Sequence, residues 1–148
     1  MPQVIVPFVV VLLVGVGIAV ETPTNALLGK STGSFLTASL ISFLVGTAVL
    51  AAAAVVTRPR LPEGWLAQTP WYAWIGGVYG AGLVLASAWA TPKLGAGTTL
   101  VVIVASQVAL GVGLDHFGLL GLERHALNWL RVAGVIVVAA GAVLIALG

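Results

Sequence analysis

Five long apolar stretches, each broken by a short polar or proline-bearing segment, constrain this chain more than any other feature. They cover residues 4–20, 35–56, 71–90, 96–114 and 130–147, and each holds about 17 to 22 residues. At 1.5 Å per residue a helix of that length spans ~25 to 33 Å, enough to cross the hydrocarbon of a bilayer. Barrel strands would be about ten residues long and would alternate polar with apolar, which these stretches do not. In hydrocarbon every backbone N–H and C=O needs a partner within the protein, so helices are the remaining solution. Composition agrees: 60% of the 148 residues are hydrophobic, 7% are charged, and the mean hydropathy is +1.17. A soluble domain carries about a quarter charged residues, so a water-soluble enzyme, a nucleic-acid-binding domain and a disordered segment are all excluded. The expected fold is all-α: one integral membrane domain, residues 1–148, built as a bundle of five transmembrane helices.

The segments that end the stretches are chemically distinct. Glu21 closes the first, Thr57-Arg58-Pro59-Arg60-Leu61-Pro62 the second, Thr91-Pro92-Lys93 the third, and Asp115-His116 the fourth. Met1-Pro2-Gln3 lacks the basic start of a secretory signal and the first apolar run is long, so the first stretch is expected to remain as a span. Trp65, Trp71, Trp74, Trp89 and Trp129 fall at or near span ends, as an interfacial aromatic belt requires. Leu119, Leu120, Leu122, Leu127 and Trp129 interleave with Glu123, Arg124 and His125, which suggests a short amphipathic turn along the interface.

Five spans place the termini on opposite sides. Arg58, Arg60, Arg124 and Arg131 then share the N-terminal side, against Lys30 and Lys93 on the other. Four against two is a thin bias, compatible with a single orientation or with insertion in both. There is no cysteine, so disulfides and thiolate metal sites do not arise. Asp115, His116, Glu123 and His125 are ligand types, but their spacing matches no coordination motif, so no metal is expected, and no cofactor. No nucleophile–base pair or phosphate-cradling loop is present, and an enzyme is not expected.

Charge in hydrocarbon costs several kcal/mol, so an ionisable group at membrane depth marks a functional site by default. Glu21 is that group. Residues 22–28 are mostly apolar or small; if the first helix continues through Leu28, the acid lies inside its far half. Pro23 has no N–H for the carbonyl of Ala19, and Asn25 sits one turn after Glu21 on the same face. A carboxylate, a broken backbone ladder and an amide make a site for a cation or a proton. Holding the carboxylate away from bulk water favours its protonated form, letting substrate and proton compete. The alternative is a span ending at Val20, with Glu21 a wetted cap.

Other polar positions are weaker. Ser39, Ser42 and Gly46 form a small polar stripe at i, i+3 and i+7, and Gly76 and Gly80 make a GxxxG with Tyr79 nearby. Such small-residue faces usually serve helix packing. Gly134 and Gly141, seven apart, suggest packing between helices or between subunits. Gln107, central in the fourth stretch, needs an interhelical partner or a water-filled cavity.

ETPTNALLG (Glu21 to Gly29), SLISFLVGT (Ser39 to Thr47), WYAWIGGVYGAG (Trp71 to Gly82), TPKLGAG (Thr91 to Gly97), Ser106-Gln107 and DHFGLLG (Asp115 to Gly121) run in order along the chain. Together they resemble the YdcZ-type family, a small branch of the drug/metabolite transporter superfamily. The resemblance implies a five-span, multi-pass protein of the bacterial inner membrane that moves a small molecule. It also implies an antiparallel homodimer, or a pairing with a sibling chain, because duplicating an odd number of spans yields inverted repeats. Asn25 and Gln107 match the family pattern and carry over as candidate cavity residues. Glu21 departs from it, since that position is more typically a glutamine; an acid there resembles the first-helix glutamate of the small multidrug-resistance branch.

The expectation is therefore a secondary transporter working by alternating access, with Glu21, Asn25, Ser42, Tyr79 and Gln107 at the substrate and proton site. Its partners would be membrane lipid, a second copy or sibling chain, and the substrate; nucleic acid is not among them. The rival expectations are a non-transporting assembly subunit and one half of an obligate antiparallel heterodimer.

Overall fold

The computed structural model describes residues 2–148, with side chains from Ile5 onward. The chain is helical nearly throughout: α1 (Pro2–Thr32), α2 (Phe35–Thr57), the single turn α3 (Trp65–Gln68), α4 (Gly76–Leu94), α5 (Ala96–Phe117) and α6 (Trp129–Leu147). A 3₁₀ turn at Trp71–Ile75 leads into α4, and another, Leu119–Gly121, follows α5. Five helical segments, Ile5–Thr32, Phe35–Thr57, Trp71–Leu94, Ala96–Phe117 and Trp129–Leu147, are long and apolar enough to span a membrane.

The differences from the sequence-based boundaries have local causes. α1 does not stop at Glu21 but runs on to Thr32, carrying Pro7 and Pro23 inside it. Around Pro23 the hydroxyls of Thr22 and Thr24 donate to the carbonyls of Ile18 and Val20, at 3.0 and 2.7 Å. Gly33 then takes the left-handed conformation (φ +70°) that glycine adopts at little cost, and ends the helix. Pro92 does not end α4, because in the last turn it removes one hydrogen bond and no further turn has to be accommodated; Gly95, at φ +82°, comes just after the end at Leu94. Asp115-His116 does not close α5 either: Gly118, left-handed at φ +62°, does so after Phe117. Of the segment expected as an amphipathic turn, Leu119–Gly121 forms a 3₁₀ turn and residues 122–128 are non-helical. Ser34 caps α2 by accepting from the Thr37 N–H at 3.1 Å, and Asn128 caps α6 by accepting from the Arg131 N–H at 2.9 Å.

The chain divides into two compact units, Met1–Trp89 and Ala90–Gly148. In the first, α1 and α2 pack as an antiparallel hairpin across the two-residue turn at Gly33 and Ser34. The approach is tight at Gly29, where an added Cβ would collide with the Phe35 ring. Further along, Phe43 of α2 reaches α4, its Cζ 3.7 Å from where a Cβ would stand on Gly80. In the second unit α5 and α6 pack antiparallel: Ile145 lies near Gly97 at one end, and Arg131 pairs with Asp115 at the other.

Among the described residues the buried apolar side chains are four alanines, Ala26, Ala38, Ala88 and Ala142. Valines, leucines and phenylalanines line the helix exteriors instead, an inversion of the soluble pattern that suits helices surrounded by lipid or by other helices.

Candidate functional site

Glu21 lies about three residues past the midpoint of Ile5–Thr32, roughly 4 Å along the axis, because α1 continues through it as a regular helix. Its Oε1 accepts a hydrogen bond from the Asn25 Nδ2 at 3.2 Å, the contact that i, i+4 spacing allows. Asn25 and Thr22 are both buried, at 5% and 4% exposure. Ala26 and Gly29 are buried too, so one face of this stretch of α1 is shielded, while Pro23, Thr24 and Leu27 are exposed, as are residues 5–21, Glu21 among them. Thr22 and Asn25 can sit there because each has a partner for its polar atoms.

A cavity of about 230 Å³ opens beside the carboxylate, lined by Glu21 of α1, Ser42, Phe43, Gly46, Thr47 and Leu50 of α2, and Val84 of α4. The α2 residues share one face, since Ser42 and Gly46 are four apart and Phe43, Thr47 and Leu50 follow at i+4 and i+7. Gly46 offers open space where a Cβ would stand. One carboxylate, two hydroxyls, a phenyl ring and aliphatic walls suit a small organic cation: the acid supplies charge, the hydroxyls hydrogen bonds, and Phe43 and the aliphatic groups apolar contact. A second cavity of about 340 Å³, lined by Phe35, Gly82, Leu85, Ala86 and Trp89, is wholly apolar.

Of the residues expected at the site, Glu21, Asn25 and Ser42 come together. Gly46, expected to serve packing, lines the cavity. Tyr79 lies on α4, 70% exposed, and is not among the lining residues. Gln107 lies on α5 in the second unit, also exposed. Gly76, Gly134 and Gly141 have no described atom within 4 Å of an added Cβ beyond their own helix neighbours. Sequence reading missed Phe43, Thr47, Leu50 and Val84; Thr47 carried a signal as a second hydroxyl on the Ser42 helix, whereas Phe43, Leu50 and Val84 are apolar residues in apolar stretches. Among the described residues no group of three His, Cys, Asp or Glu is placed to hold a metal ion.

Comparison with known proteins agrees with this architecture. The chain is 30% identical over 133 residues to "Inner membrane protein YdcZ" of Escherichia coli (strain K12), which covers 89% of each protein. No solved structure matches the chain. Residues 6–144, which take in three spans whole and most of the first and last, match the family described as "Putative inner membrane exporter, YdcZ", and the chain belongs to that family as a multi-pass protein of the inner membrane.

Proposed function

We propose that this protein is a small secondary transporter that exchanges protons for a small organic cation, with Glu21 as the group both compete for. The observation that carries this reading is the Glu21 carboxylate, held by Asn25 and opening into a cavity of otherwise neutral residues. A single negative charge cannot neutralise a cation and keep a proton at once, so arrival of one releases the other. Ser42 and Thr47 would orient the bound molecule, while Phe43, Leu50 and Val84 would contact its apolar part.

The working unit in this proposal is an antiparallel pair, formed with a second copy or with a sibling chain. Tyr79 and Gln107, exposed on the single chain, would complete the site there, and the open faces at Gly134 and Gly141 would receive a partner helix. Exchange of the two inverted halves would then give alternating access. The family's description as exporters and the name of the Escherichia coli relative support transport as the activity.

The test is purified protein in vesicles carrying an internal pH dye, screened with a series of small organic cations for cation-driven proton flux. Flux is expected for part of the series and should fall to the level of protein-free vesicles in Glu21→Gln, which keeps an acceptor for Asn25. Flux undiminished in Glu21→Gln would dismiss the carboxylate's role.

A further inference from the structure

The end of α5 carries a polar assembly that the transport reading does not use. Residues 122–128 fold back across that end and are fastened to it at three points. The His125 N–H donates to the Asp115 carbonyl at 2.8 Å, the Arg124 Nε to the His116 carbonyl at 3.0 Å, and the Leu127 N–H to the Nδ1 of the His116 ring at 3.1 Å. The second bond satisfies a carbonyl that the helix end leaves without a partner, and the first adds to the Gly118 N–H that the Asp115 carbonyl already accepts at 3.3 Å. The third is of another kind, because it needs a free lone pair on an imidazole nitrogen.

We propose that residues 122–128 form a proton-released strap, closed over the end of α5 while His116 is neutral and freed when His116 takes up a proton. In the closed arrangement Nδ1 of His116 accepts, so the ring's proton sits on Nε2. Protonation puts an N–H on Nδ1 directly opposite the Leu127 N–H, turning a hydrogen bond into a clash of two donors. The released strap therefore binds one proton more than the closed one, and acidification through the range where imidazoles titrate drives release.

The charged groups around His116 leave it as the sensor. Asp115 precedes it on α5 and pairs with Arg131 of α6; from the strap, Arg124 bonds the His116 carbonyl, and Glu123 and His125 flank Arg124 in sequence. His125 has the opposite wiring. Its Nδ1 lies 2.9 Å from the Glu123 carbonyl, which can only accept, so Nδ1 already carries a proton and a second one on Nε2 leaves that bond intact. Release would also withdraw the His125 carbonyl from Arg131, 3.5 Å away, leaving Arg131 with Asp115 alone. The event thus reaches the joint between α5 and α6.

The test is amide hydrogen exchange, read residue by residue on the full chain in lipid nanodiscs at about pH 7.5 and about pH 5. Each rate is corrected for intrinsic exchange and compared with the Val132 amide, which bonds the Asn128 carbonyl without any titrating group. Leu127 protection relative to Val132 should fall about fivefold to tenfold at the lower pH, the effect of losing one hydrogen bond. His116→Asn, whose side-chain oxygen is an acceptor that does not titrate, should keep the protection at both pH values, and His125→Asn should keep the wild-type response. Imidazole ¹⁵N shifts of the wild-type protein give a readout free of substitution: near pH 7.5, His116 should show a proton on Nε2 alone. An unchanged Leu127-to-Val132 ratio in the wild type, an equal fall in His116→Asn, or a neutral His116 carrying its proton on Nδ1 would each overturn the proposal.

Discussion

The α1–α2 and α5–α6 hairpins are built from similar material and use their polar residues in opposite ways. Both are antiparallel pairs of long apolar helices with little buried between them beyond alanines and small polar groups. In α1–α2 the turn is two residues long; Ser31, Thr32, Ser34 and Ser39 bond to nearby backbone around it, and a second polar set, Glu21, Thr22, Asn25 and Ser42, sits farther along the helices. In α5–α6 the connection takes eleven residues, 118–128, and the polar contacts gather there, at Asp115, His116, Arg124 and Arg131. Hydropathy alone does not distinguish the two. Polar groups at a helix end can be wetted and cost little, whereas polar groups near the helix middle need partners and a reason to be there.

Substitutions in the two hairpins put this contrast to the test. The largest effect on stability is expected from Gly29→Val, which drives a branched side chain into the Phe35 ring where α1 and α2 approach. It should destabilise the detergent-solubilised protein by about 1–3 kcal/mol or more in thermal unfolding, as overpacking does. Gly15→Val, with open space around it, should be close to neutral, and a loss as large as that of Gly29→Val would remove the distinction drawn between the two ends of α1. Asn25→Ala comes next: it removes the donor to Glu21 and should cost about 1.5 kcal/mol or more, the range for a hydrogen bond to a charged acceptor. Cation-driven proton flux should weaken with it.

Cap deletions test whether the two hairpins start their second helices by the same physics. Ser34→Ala and Asn128→Ala each remove an oxygen that accepts from a first-turn N–H, and each should cost about 1 kcal/mol. The smallest effect belongs to Asp115→Asn. The Asp115–Arg131 pair, at 3.2 Å, is about one-third exposed on both sides, so its loss should cost about 0.2–1 kcal/mol and less at high salt. A larger penalty would mean that the end of α5–α6 is not the wetted region described here.

The sequence contained most of the fold because a bilayer leaves a chain few choices. Spans of about 20 apolar residues must be helices, and Phe35–Thr57 and Trp129–Leu147 begin and end within a residue or so of their apolar runs. Boundaries set by backbone geometry were less legible. Glu21, Pro92 and Asp115 looked like stops, yet glycines farther on, Gly33 about three turns past Glu21 and Gly95 and Gly118 three residues past the other two, mark the actual helix ends. The candidate site was half visible. Glu21 and Asn25 stand out as polar groups one turn apart, and Ser42 as part of a stripe. Phe43, Leu50 and Val84 look like any lipid-facing residue until three helices are packed, because apolar lining leaves no mark in an apolar sequence. The strap over α5 was hidden for another reason: it depends on which ring nitrogen of His116 faces the Leu127 amide, and a sequence cannot express that.

The proposed proton-coupled transport requires Glu21 to be an acid sheltered from water yet open to protonation, and carboxyl labelling measures this directly. Dicyclohexylcarbodiimide partitions into apolar surroundings and reacts with protonated carboxyls, so the protein in native membranes should be modified at Glu21 ahead of Glu63 and Glu123 in the connecting segments. A cation that drives proton flux should slow the modification. Labelling of Glu21 no faster than that of Glu63, and indifferent to every such cation, would contradict that requirement.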